Sequence, residues 1–104
     1  MSVVTAMVSE AAGERPEEIL GLLREQSALY ARLESFAARQ RSLVRAEETA
    51  PLLALLADRQ RLSVELTRLA RRLEPVRRVW SAFRERFTAT QQEEADGLIS
   101  DVTR

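Results

Sequence analysis

The side chains in this chain that could do chemistry are carboxylates and guanidiniums. Three glutamate doublets, Glu17-Glu18, Glu47-Glu48 and Glu93-Glu94, come nearest to the paired acids that general acid–base catalysis uses. Neighbours in sequence do not face one another on a helix, so these doublets suit helix ends and exposed faces instead. The chain has no histidine and no cysteine. That removes Ser-His-Asp and Cys-His nucleophiles, zinc fingers and the Glu-x-x-His pairs of helical di-iron sites. Three scattered glycines cannot form a phosphate-binding loop. The expectation is therefore no enzyme, no cofactor, no metal and no small-molecule substrate.

Sixteen basic residues, all arginine, offset sixteen acidic ones. They are unevenly spread: from Arg59 to Arg86 nine arginines face only Glu65, Glu74 and Glu85. Glu65 with Arg68, and Glu74 with Arg77 and Arg78, have helical spacing for pairing. The remainder either steers an acidic ligand or forms a solvated face whose stems pack beside an apolar seam. Zero net charge and the lack of a helix-turn-helix or aromatic-sheet pattern argue against nucleic acid.

The elements that must position these groups are helical. Hydrophobic residues make up 45% and charged residues 31%, with only three prolines, as in a helix-rich globular chain. Ile19, Leu22, Leu29, Leu33, Phe36 and Leu43 recur at three-four spacing, with Gln26 and Gln40 at two seam positions. Pro16 suits a first turn, and Glu17 and Glu18 follow where the macrodipole favours acid, giving a helix over about 16–46. "RAEETAP" interrupts the pattern, and Pro51 with Thr49 before it marks a new start. So short a link makes the two helices antiparallel neighbours. The second seam runs Leu52, Leu55, Arg59, Leu62, Leu66, Leu69, Leu73, Val76, Trp80, Phe83, Phe87 without slipping. It predicts one helix over about 51–88, kinked near Pro75, then a short helix over about 91–103 containing Leu98, Ile99 and Val102. The fold class expected is all-α: an antiparallel, coiled-coil-like hairpin with a long kinked second helix and a short third segment. Residues 1–14 are expected to be a flexible N-terminal segment before a single helical domain, 15–104.

A length argument points to function. A helix starting near Pro51 draws level with the start of its antiparallel partner at about residue 80, so Trp80, Phe83 and Phe87 project at or past its end. Rings with nothing to pack on form an apolar patch, and such patches mark interaction sites. Either the N-terminal segment with Val3, Val4, Met7 and Val8, or the C-terminal segment folded back, closes over them. Otherwise Leu69, Leu73, Val76, Trp80, Phe83 and Phe87, flanked by Arg72 and Arg77, form a wall for an amphipathic helix of another protein. A homodimer seam is the third possibility, with Gln26, Gln40 and Arg59 fixing its register. The opening "MSVVTAMVSEAAGER" lacks a basic region and a sustained apolar run, and no stretch approaches the roughly 18 apolar residues of a spanning helix. With no cysteine, the expectation is a cytoplasmic protein without membrane insertion.

"LLREQSALYARLESFAARQRSLV" followed by "EETAPLLALLADRQRLSVEL" resembles the FlgN-type flagellar export chaperones. The shared elements are Leu22, Leu23, Glu25, Tyr30, Leu33 and Gln40, then Glu48, Leu52, Leu55, Leu56, Arg59, Gln60 and Leu62. The resemblance covers about residues 18 to 73. It implies a cytosolic chaperone that holds the amphipathic C-terminal helix of hook-associated proteins before export, with its own C-terminal part supplying the groove. Family members usually continue into a longer third helix, and neither Pro75 nor the all-arginine charge belongs to the pattern.

Overall fold

The computed structural model describes residues 13–103, with side chains to 101. The expected flexible segment 1–14, and Val3, Val4, Met7 and Val8 as a cover, lie outside the described residues apart from positions 13 and 14. Within the described residues the chain is all-α: α1 (Pro16–Arg45), α2 (Thr49–Arg78), α3 (Trp80–Arg84) and α4 (Ala89–Thr103). α1 and α2 pack along their length as an antiparallel hairpin, and α4 folds back onto α1. The resulting body measures 55 × 31 × 19 Å.

Pro16 occupies the first turn of α1, where a missing N–H leaves nothing unpaired. At the other end the Glu48 N–H donates to the Leu43 carbonyl and the Glu47 N–H to the Val44 carbonyl, both 3.1 Å. This is a Schellman cap, and it places Glu47 in the left-handed region at φ 55°, where glycine is the usual residue. α2 opens at Thr49, two residues before the start expected from Pro51. Pro51 still falls in the first turn, among N–H groups that have no helical acceptor.

The helix expected to reach residue 88 ends at Arg78. α2 runs through Pro75, then breaks at Val79, whose backbone sits at φ −119°, ψ 31°. The Val79 N–H donates to Val76 at 3.2 Å, a tightened last turn, and the helix resumes when the Phe83 N–H donates to Val79 at 2.9 Å. The proline's missing N–H leaves the Arg71 carbonyl without its helical donor, in the turn before Pro75; the break at Val79 comes four residues after the proline. α3 then ends in a tight turn, with Arg86 donating to the Phe83 carbonyl and Phe87 to the Arg84 carbonyl.

α4 is launched by a reciprocal cap. The Thr88 N–H donates to Gln91 Oε1 at 2.9 Å, and the Gln91 N–H donates to Thr88 Oγ1 at 3.1 Å. Two ion pairs then hold the helix down, Arg24 with Glu94 and Arg84 with Asp96.

The core has two regimes. At the head, where all four helices meet, Ile19, Leu20, Leu23, Leu73, Val76, Phe83, Phe87 and Ala95 form one buried cluster. Along the arm only two helices meet. There Leu55, Leu62, Leu66 and Leu69 of α2 are buried, whereas Leu29, Leu33, Phe36, Leu43 and Leu52, all expected in the helix-helix core, are only half-buried, as is Leu22 nearer the head. Two helices cannot enclose a seam on every side, which is the physical reason for that correction.

Candidate functional site

The aromatic stretch is not the open wall that its position in sequence suggests. Leu69, Leu73, Val76, Phe83 and Phe87 are all buried in the single chain, so none of these expected partner contacts is presented to solvent. The reason is α4: its Ala95 is fully buried in the same cluster, with Leu98 and Ile99 packed at the edge. The second helix does not outrun the first, since α1 and α2 are both 30 residues long; the rings lie past the end of α2, on α3 and the turn after it, and the last helix folds over them. The rings brace one another, with Trp80 edge-on to Phe87 at 5.6 Å, Phe83 edge-on to Phe87 at 5.5 Å and Trp80 stacked on Phe83 at 6.5 Å. Arg86 caps the Phe83 ring at 4.8 Å.

Trp80 alone of the three is left half-buried. From α3 it lines an open groove of about 290 Å³ that the other three helices complete. α1 contributes Ile19, Leu23 and Tyr30; the end of α2 contributes Leu73 and Val76; α4 contributes Ile99. The polar groups at the rim are Gln26 and Arg77. Sequence reasoning anticipated Trp80, Val76, Leu73 and Arg77 in one site, and the structure brings them together there. It missed Leu23, Tyr30 and Ile99. Leu23, Tyr30, Ala37 and Val44 recur every seven residues, and that second line was the signal available beside the stronger three-four seam.

Arg72, the other arginine assigned to the partner, points to the opposite flank and forks onto Glu14. Much of the basic excess is neutralised in the same way. Arg61 pairs with Asp58 at 2.8 Å, Arg68 with Glu65 at 2.9 Å, and Arg78 with Glu74 at 2.7 Å. Arg59, at a seam position, donates to Gln40 Oε1 across the hairpin at 2.9 Å. Hydrogen bonds from Arg78, Arg24 and Arg84 hold the carboxyls of Glu74, Glu94 and Asp96 below their ordinary range, while Arg72 is held above its own by Glu14. Each of these shifts arises within an arginine–carboxylate pair that is at least partly open to solvent.

Among the described residues no three potential metal ligands gather, and no buried side-chain polar atom lacks a hydrogen-bond partner. No helix among them is long and apolar enough to cross a membrane. What the groove can do is take up an apolar side chain or a short apolar face. Comparison with protein-family models, with curated proteins and with solved structures finds no match to this chain.

Proposed function

We propose that this protein is a helix-binding module that captures an apolar segment of another protein in the groove beside Trp80. The observation that carries the reading is the half-exposed indole itself, set among Leu23, Tyr30 and Ile99 with Arg77 at the rim. A large aromatic in a concave apolar setting is the kind of anchor that dominates protein–protein affinity. The groove's polar rim suits an amphipathic helix whose outward face is charged.

A more specific version, resting on the sequence resemblance, makes the client the amphipathic C-terminal helix of a hook-associated protein and the module a cytosolic export chaperone. The long α1–α2 hairpin is compatible with it, though any helical adaptor would use the same hairpin. Trp80 is the chain's only tryptophan, so its emission reports the groove directly. Titration with synthetic client helices should shift that emission to the blue and saturate, and Ile99→Glu should abolish the shift. Unchanged emission with every hook-associated C-terminal helix would sink the chaperone version. A shift that Ile99→Glu leaves intact would sink the groove itself.

A further inference from the structure

The two flanks of the hairpin differ in kind. On one, Glu25, Arg32 and Arg39 of α1 follow the seam at seven-residue spacing, and Asp58, Glu65 and Arg72 of α2 do the same. Cross-helix contact here is ionic, with Arg68 lying 4.0 Å from Glu25. On the other flank, the seven-residue lines are Tyr30, Ala37, Val44 and Leu56, Ser63, Ala70. The groove fixes that these lines share a side, because Tyr30 and Arg77, one heptad beyond Ala70, both line it. Of the five large apolar side chains exposed by more than a third among the described residues, four collect here, Tyr30 and Leu56 at 39%, Val44 at 54%, with Leu53 next to them at 61%; the fifth, Val64, is on the outer face of α2. An apolar flank beside a seam that two helices cannot close calls for further helices.

We infer that the occupant is a second copy of this chain, packed antiparallel about a two-fold axis between Ala37 and Ala38. The charges on the flank are self-complementary. Glu34 and Arg41 have no ion-pair partner among the described residues, and their neighbours at three and four positions supply no opposite charge. In an antiparallel copy centred on Ala37 and Ala38, Glu34 meets Arg41 of the second copy, and Arg41 meets its Glu34. The two alanines at the centre let the helices approach closely, and Tyr30 comes opposite Arg45, beside Val44. There, Gln40, Arg41, Val44 and Arg45 surround an open hollow of about 310 Å³, which receives the phenol ring. This register also places each head beyond the other copy's α1–α2 turn, whereas parallel copies would set α4 against α4.

From Tyr30 to Val44 the strip is roughly 21 Å long. Two helices wide, it covers roughly 400 Å² per copy, about half of what a standard stable interface buries on each side. The dimer is accordingly weak and reversible. It shares only Tyr30 with the groove, so the test uses residues outside the groove and its failure leaves the groove reading untouched.

Sedimentation equilibrium of the full chain up to about 500 μM should show a monomer–dimer equilibrium in the tens to hundreds of micromolar range. Glu34→Arg or Arg41→Glu alone should weaken it about tenfold by opposing like charges, and the double exchange should restore it. Since the chain has no cysteine, Ala37→Cys should give an oxidised dimer, and Arg32→Cys on the ionic flank should not. A monomer at every concentration with no Ala37→Cys cross-link means that another protein or residues 1–12 cover the flank, and it overturns the proposal. A dimer that the double exchange fails to restore overturns the antiparallel register.

Discussion

Arg84 forks onto Asp96 across the α3–α4 turn, with Nε 3.1 Å from Oδ1 and Nη2 2.6 Å from Oδ2. With Arg24 and Glu94 it forms one of two clamps that keep α4 on the aromatic end. Both carboxyls are held below their ordinary values by the hydrogen bonds from their arginines. A depressed folded-state value contributes stability that is complete above the unfolded value and is lost as pH falls through the folded one. The loss therefore begins as pH drops below the ordinary glutamate value of 4.5. Trp80 emission, which senses Ile99 of α4, should be flat above about pH 5.5 and change in acid, with a smaller amplitude in concentrated salt. The Arg24→Ala, Arg84→Ala double variant should lose most of that acid step. An identical pH profile in the double variant would show that other carboxylates control α4.

The left-handed backbone at Glu47 stores a removable cost. A residue with a Cβ at φ 55° is disfavoured by about 1 kcal/mol relative to glycine. Glu47 is exposed, so its replacement disturbs no packing. Glu47→Gly should stabilise the chain by about 0.5–1 kcal/mol, raising Tm by about 3–6 °C in a thermal melt. Glu47→Val should do the reverse, since a β-branched side chain tolerates this region least.

The hairpin was legible because its seams repeat over many turns, and because Pro51 follows a polar interruption. Where the chain departs from long repeats, sequence spacing carried less. Trp80, Phe83 and Phe87 keep the seam's phase across Val79, so periodicity alone reports a continuous helix where the backbone has already broken. The cover over those rings is the C-terminal of the two segments that could reach them. Ala95 is a weak apolar signal and Gly97 a helix-weakening one, so nothing singled α4 out. Leu20 and Leu23 fall off the α1–α2 seam because they serve a different neighbour. That is why the candidate core omitted two of the most buried residues of α1.

Thr88 and Gln91 cap α4 as a unit, each satisfying the other's backbone N–H. Thr88→Ala should destabilise by about 1 kcal/mol, and Gln91→Ala by somewhat less. Because the two bonds are reciprocal, the double variant should cost less than the two single costs added. Far-ultraviolet dichroism should register at most the 15 residues of α4, while Trp80 emission registers its undocking. A large loss of helix signal in either single variant would mean that the hairpin depends on α4 more than its own buried seam suggests.

The head and the arm should respond differently to the same truncation. Leu69 has no exposed surface and lies where the arm meets the head, whereas Leu33 sits on the half-buried face of α1. Leu69→Ala opens a cavity that helices on both sides must span, and should cost about 3 kcal/mol. Leu33→Ala removes a side chain that already meets water and leaves no enclosed void, so it should cost about 1 kcal/mol. For a small domain of about 5–10 kcal/mol in all, urea denaturation separates those two results cleanly. Equal losses would mean that Leu33 is covered in solution, and the second copy inferred above supplies such a cover. The Leu33→Ala cost should then grow with protein concentration, because association stabilises only the folded dimer. A cost for Leu33→Ala that stays near 1 kcal/mol at every concentration places that residue outside the two-fold contact.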